Sequence, residues 1–525
     1  MTKVQFRPRH RKIGKATERG TIPRVYGGII LIPPPPSFNF DYVVAPNGGS
    51  SPSTVGNEAD PFSLSYAMSG AGGRVIANRI VAVRGSLGTY VGTQQYTVTV
   101  SGNIGSGIDN PDGKIIFRNY PGEKPKIDGT VRINGDYAWV WGLDIFNSDP
   151  VHQYVGTYNG VLCGRGSKFI NCLSHDSAKS GFYLGGADAP VMHEGEVYGC
   201  LSYNNGVNEN LDHGSYNHNG WTIDTQRVRM RECGMWNNQA YGFHSYDFSA
   251  NIYKFDHVGC IGFNNGTISS TAGKTRPNLL LAAQTGICDD VSYQDCFSYH
   301  KVSSDLGGAQ FGLNTASSNG KLVVSGCYLA GGLYQFMSDV GARPFSEAHI
   351  TNNKFVPRLS NGRVLYTSGV ISGYDWNGNT HYQDGSQALW LHNGNFFTFA
   401  GWKTATGLGG STDVVTGSLR AITDIFIRPN AYEPGRGHIV VFNWALSSSV
   451  IVDLSTILPV GKPYEIHSFS DLQGAPLVSG VYSGGSVTIP MTGVTPINPL
   501  GPGRVYTAPL VTAPEFDCFL VRRTG

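Results

Sequence analysis

An all-β, right-handed parallel β-helix is the fold class this sequence predicts, and three observations carry the prediction. A strand-and-turn unit returns down the middle of the chain with a cysteine in the same column each time. A short polar residue stands four positions after most of those cysteines. The composition is that of a chain that turns often and pairs strands in between, with 70 Gly in 525 residues, 14% charged residues and few long amphipathic helical stretches. The length exceeds one ordinary core, so an elongated repeat stack or several domains must supply the burial.

The repeated segments read FINCLSHDS, VYGCLSYNN, MRECGMWNN, HVGCIGFNN, YQDCFSYHK and VSGCYLAGG. They align Cys172, Cys200, Cys233, Cys260, Cys296 and Cys327, and the column extends back to Leu143 and forward to Asn353. The polar column holds Asn147, Asp176, Asn204, Asn237, Asn264 and His300. This predicts an asparagine ladder, because asparagine tolerates left-handed dihedrals and its amide bonds both the bend and the next coil. Propeller blades repeat at about 40 residues and are antiparallel, so a shorter period with short strands favours the parallel coil. Each coil then buries its inward residues only against its neighbours.

Nine cysteines are an odd number without a CxxC pair, which favours buried free thiols over a disulfide framework. The net charge of +2 conceals an asymmetry. Lys3, Arg7, Arg9, Arg11, Lys12, Lys15, Arg19 and Arg24 face Glu18 alone in the first 24 residues, and the remaining body is mildly acidic. That balance argues against nucleic acid as the body's ligand and for an acidic partner of the arm. The apolar run at Gly27–Ile32 is too short for an export signal or a membrane span and enters Pro33–Pro36, so neither is expected.

The approach to the repeat reads YVVAPNGGS, a short amphipathic stretch around Phe62 to Ala67, RIVAVRGSLGTY and KIIFRNYPGEKPKIDG. This order resembles the entry to the pectate-lyase-like superfamily of β-helices, with Tyr120, Pro121, Gly122, Glu123, Pro125, Asp128 and Gly129 matching its line of the form YPGE.P.IDG. The resemblance covers roughly Asp41 to Gly410, including FFTFAGWKTATGLGGS after the last coils. It implies a β-helix over residues 41–410 with an N-terminal cap, on a scaffold that carries lyases, hydrolases, epimerases and pure binders. The acidic calcium triad of some pectate lyases is not found, and neither cofactor nor metal is expected.

Residues 421–525 change to short alternating strands between Pro and Gly turns, which predicts a C-terminal antiparallel β-sandwich capping the open end of the solenoid. Residues 1–40 form a basic, Pro-rich arm in which PPPP acts as a stiff spacer. Such an arm ahead of a solenoid resembles phage tailspikes and related virion appendages. The resemblance implies a homotrimer that is assembled in the host cytoplasm, joins virion structural proteins through the arm, and binds and in some cases depolymerises a bacterial surface polysaccharide. Two alternatives stand beside it: a secreted bacterial polysaccharide lyase or glycoside hydrolase, and a purely structural decoration protein.

A groove is expected along the strand after the polar turn, which reads GFYLGG, GSYNHN, GFHSYD, NLLLAA and QFGLNT in successive coils. Tyr183, Tyr216 and His244 form one outward column; Gly186, Asn219 and Asp247 form another if the strand bends, and Asp188 stands nearby. The catalytic candidates are Asp212, His213, His218, His244 and Asp247, and the substrate-binding candidates are Lys179, Tyr183, Tyr216, Asn219 and Arg227. Glycoside hydrolysis needs two carboxyls about 5 to 10 Å apart, and Asp212 and Asp247 lie on adjacent coils. Elimination instead needs a base such as His or Tyr and a cation, Lys179 or Arg227, to hold a uronate carboxylate. The plainer alternative is that these groups hydrate a solenoid flank.

Overall fold

The computed structural model describes residues 39–91, 95–149, 160–162, 165–185, 194–218, 227–270, 275–302, 307–314, 319–338, 344–408, 410, 412–501 and 505–524. The arm up to residue 38 and the candidates Gly186, Asp188 and Asn219 lie outside them.

The chain folds as a right-handed parallel β-helix. Each regular coil gives one strand to each of three sheets, and the strands of successive coils pair in parallel. The central coils show the order: Glu196–Tyr198 in the first sheet, Leu201–Tyr203 in the second and Ser215–Asn217 in the third. The three sheets enclose one continuous apolar core running from Val44 to Leu408.

The turn between the first and second sheets explains the cysteine column. A residue with positive φ stands immediately before each column position, as at Asn171, Gly199, Glu232 and Gly259, so the chain bends sharply and sends the next side chain inward. Cys172, Cys200, Cys233, Cys260, Cys296 and Cys327 are buried and unpaired. Each thiol donates to a carbonyl of the preceding coil, such as Cys233 Sγ to Val197 O at 3.3 Å and Cys260 Sγ to Met230 O at 3.3 Å.

The turn between the second and third sheets corrects the expected ladder. Asp176, Asn204, Asn237 and Asn264 take the left-handed conformation, with φ between 48 and 54°. The stacked amides sit one residue later. Asn205 Nδ2 donates to Asn238 Oδ1 at 2.9 Å, Asn238 Nδ2 to Asn265 Oδ1 at 2.9 Å, and Asn265 Nδ2 to Asn278 Oδ1 at 2.8 Å, all fully buried. One position supplies the bend and its neighbour supplies the bonds.

Short helices cover both ends. Leu64–Met68, N-capped by the Ser63 side chain, puts Leu64, Ala67 and Met68 over the first coils. Phe399–Thr406, capped by Thr398 and ended by Gly407 at φ 71°, buries Trp402 against the last ones.

The C-terminal segment does not cover the open end as expected. Five antiparallel strands, in the order Thr423–Pro429, Arg436–Asn443, Phe516–Arg523, Pro463–Ser468 and Val478–Val481, form a sheet along the flank of the solenoid. One face, with Phe426, Val440, Phe442 and Phe516, packs on outward aromatics of the second sheet, among them Tyr203, Trp236, Phe263, Tyr299 and Tyr328. The other face is covered by a two-stranded antiparallel sheet, Ser449–Asp453 with Ser486–Pro490, through Val450, Val452 and Ile489.

Candidate functional site

The third sheet brings most of the candidate residues onto one face. Its strands Phe182–Leu184, Ser215–Asn217 and Phe243–Asp247 pair so that Tyr183, Tyr216 and His244 are direct neighbours. Alternation turns their neighbours Phe182 and Phe243 into the core and sends these three rings outward. The Tyr183 and Tyr216 rings meet edge to face at 5.5 Å, and Tyr216 lies 5.0 Å from His244.

His213 and His218 join from the two ends of the middle strand. The His213 ring is 3.9 Å from His244 and 5.1 Å from Tyr216, and the His218 ring is 4.0 Å from Tyr216 and 5.4 Å from Tyr183. Tyr241 and Tyr246 complete the cluster by stacking on His244 at 4.5 and 5.0 Å. Sequence alignment of the coils passed over both, although Tyr246 shares the outward parity of His244 in FHSYD.

The three imidazoles differ in their partners. Burial pushes the His213 pKa down to about 3, and the His218 and Arg276 charges act in the same direction. Burial also holds His244 well below the usual imidazole value, with His213 and His218 adding to it, so both rings are neutral at physiological pH. His218 Nδ1 donates to Asp247 Oδ2 at 2.8 Å, and Asp247 Oδ1 accepts from the Ser249 and Ala250 amides at 2.8 Å each. Burial opposes ionisation of Asp247, but those three bonds outweigh it and keep its pKa below the usual carboxylate value. An ionised Asp247 can only accept, so His218 holds a proton on Nδ1, and the atom through which the ring can exchange a proton is Nε2. His218 Nε2 and His244 Nδ1 are buried without a hydrogen-bond partner among the described residues. Burial, and then the Tyr183 and Asp247 charges, raise the Tyr216 pKa, so its phenol stays protonated.

The other candidates stand elsewhere. Asp212 is buried with its Oδ2 accepting from the Val207 and Asn208 amides at 2.9 and 2.7 Å, so it holds the turn that leads into the strand. Arg227 stands immediately ahead of the first-sheet strand Val228–Arg231, where it pairs with Asp256 at 2.8 Å and with Asp290. Lys179 is half-buried in the turn ahead of Phe182. A cation not singled out from sequence is nearer: the Arg276 guanidinium lies over the Tyr241 ring, 5.8 Å from its centroid, and donates to Asn210 Oδ1 at 2.7 Å. It stands in a connection of variable length, where column alignment loses its register.

Among the described residues no group of three or more His, Cys, Asp or Glu is placed to hold a metal ion, and no helix is long and apolar enough to cross a membrane. The arrangement of His218, Asp247 and Tyr216 offers one oriented base and one protonated phenol beside a wall of aromatic rings. Such a wall can stack on sugar faces.

No family model and no curated protein matches the chain. Among solved structures it is similar to the pectate lyase Pel9A, at 18% identity and a TM-score of 0.44 over 64% of this chain and 78% of that one. It is similar to a rhamnogalacturonan lyase at 15% identity and a TM-score of 0.36, over 72% and 85% of the two chains. A third similarity is to the tailspike protein gp49 of Acinetobacter baumannii bacteriophage Fri1, a capsular polysaccharide depolymerase, at 11% identity and a TM-score of 0.32, over 85% and 79%. Likenesses of this depth leave the chemistry to be argued from the residues of the chain itself.

Proposed function

We propose that the protein binds an acidic bacterial surface polysaccharide along the third sheet and depolymerises it by β-elimination, as part of a virion appendage. The observation that carries this reading is the His218–Asp247 pair with the protonated Tyr216 phenol against it. In the reaction, His218 Nε2 takes the proton α to a uronate carboxylate. The C–H electron pair forms the C4–C5 double bond, the C4–O bond breaks, and the Tyr216 hydroxyl protonates the departing oxygen. Arg276 at the rim supplies positive charge for the carboxylate. A two-carboxylate hydrolase fits less well, because Asp212 is committed to backbone amides while Asp247 serves an imidazole.

The basic arm, with eight Lys or Arg against one Glu, is the part we assign to virion attachment, and the assembly we propose is a homotrimer. Deleting residues 1–36 should leave a folded protein that no longer joins particles; incorporation of the shortened chain would overturn the assignment.

The activity is tested with a panel of purified bacterial capsular polysaccharides. The expected result is binding to an acidic member and release of fragments with the absorbance of an unsaturated uronate. Asp247→Asn should retain binding and lose turnover. New reducing ends without that absorbance would replace elimination by hydrolysis, and binding without turnover would make the protein a pure binder. Failure to bind any member would overturn the reading.

A further inference from the structure

The outward row that holds Tyr183, Tyr216 and His244 does not stop there. It continues in register through Leu280, Gln310 and Met337 to Tyr366. Tyr366 is five strands beyond Tyr216, which at a strand spacing of about 4.8 Å places it about 24 Å along the solenoid axis. A second ring cluster forms at that point. Tyr334 meets Tyr366 at 5.7 Å, and the Arg363 guanidinium lies 5.4 Å from the Tyr334 ring centre and 4.9 Å from that of Phe396, which is 45% exposed.

Arg363 resembles Arg276 in three respects. Each stands just ahead of a third-sheet strand, Leu279–Ala283 for Arg276 and Leu365–Thr367 for Arg363, and so on the same rim of that sheet. Each guanidinium lies over a tyrosine ring. Neither pairs with a carboxylate among the described residues, although most of the other well-placed arginines of the solenoid do, as Arg84, Arg227 and Arg358 show. Arg363 Nη1 donates to Tyr334 Oη at 2.7 Å, and a guanidinium has five such donors in a planar fork that matches an oxyanion. Stacking between rings fixes the plane of that fork in advance of any ligand.

We infer that Tyr334, Arg363, Tyr366 and Phe396 form a distal subsite that holds an anionic group further along the same polysaccharide chain engaged at Tyr216 and His218. This rests on the reading of the third sheet as the glycan face and adds a requirement to it: full affinity needs a chain long enough to reach both clusters, because the second contact is then made within one complex.

The test uses the full chain and the acidic capsular polysaccharide selected from the panel, cut by mild acid into a fraction too short to span about 24 Å and a fraction several times longer. Arg363→Gln should weaken binding of the long fraction roughly tenfold, as loss of a charged hydrogen bond does, and leave the short fraction unchanged. Tyr216→Ala should weaken both. Phe396→Ala, at an exposed ring, should repeat the length-dependent loss should Arg363→Gln unfold. Wild-type affinity of both distal variants for the long fraction, or equal loss on both fractions, overturns the distal subsite while a Tyr216→Ala defect leaves the function reading intact. Absence of any effect from Tyr216→Ala, or of binding altogether, overturns both.

Discussion

Arg428, in the first strand of the C-terminal sheet, reaches Glu232 in the wall of the solenoid, with Nε donating to Oε2 at 2.8 Å and Nη2 making the second bond. Burial works against the guanidinium charge, but Glu232 outweighs it and raises the arginine pKa further. Gly259 makes room for the contact, since a Cβ there would stand 2.1 Å from Arg428 Nη2. Glu232→Gln therefore leaves a buried cation without its carboxylate and should cost about 3 kcal/mol or more, read as a lower urea midpoint. A loss below about 0.5 kcal/mol, typical of exposed pairs, would show that the pair does not hold the sheet.

A second tie between the two parts responds to pH. His175 is buried between two carboxylates, with Nε2 3.0 Å from Asp144 Oδ1 and Nδ1 2.7 Å from Asp176 Oδ2, and it stacks on Tyr203 at 4.8 Å. Asp176 in turn accepts from the Leu500 amide of the C-terminal segment at 2.7 Å. Burial disfavours the charged ring, but Asp144 and then Asp176 push its pKa up to about 9 from 6.5. A raised folded-state value contributes stability that is complete below pH 6.5 and disappears as pH rises through about 9. The contribution is on the order of a few kcal/mol. The melting temperature of the wild type should fall between about pH 7 and pH 10 more steeply than that of His175→Gln, which starts lower at neutral pH. Parallel pH profiles would remove the charged pair from the stability of the fold.

The two adjacent polar columns predict opposite responses to substitution. Asn238→Ala deletes the donor to Asn265 and the acceptor of Asn205, leaving buried amide groups unpaired, and should cost about 3 kcal/mol. Asn237→Gly, one residue earlier at φ 48°, removes side-chain strain and should stay within about 1 kcal/mol of the wild type. Comparable losses at both positions would place stacking amides at 237 as well.

What the sequence made legible was whatever repeats. One residue type at near-constant spacing marked the inward thiols, and aligning the coils on Cys172, Cys200 and Cys233 was enough to set Tyr183, Tyr216 and His244 side by side. The bend and its bonding partner are adjacent and often both asparagine, as in Asn204 with Asn205, so the column could not say which residue did which. The use of Asp212 was hidden because its partners are backbone amides of a single turn, and that of Arg227 because it adjoins a strand of a different sheet, Val228–Arg231. Nothing local in Trp236 or Tyr299 reveals that a segment more than 200 residues on will cover it; an outward aromatic reads the same whether it meets sugar, solvent or its own chain.

That covering sheet changes the way the stack can come apart. Coils that lean only on their neighbours unravel one at a time from either end, each at a modest cost. Here Gln473 reaches Asp144, Phe469 lies on Trp236, Phe516 on Tyr299, Phe442 on Tyr328, and Glu515 pairs with Arg358. The C-terminal sheet thus acts as a splint across the middle of a one-dimensional polymer: fraying that begins at either tip halts where the splint begins, and the coils beneath it must be lost together or not at all.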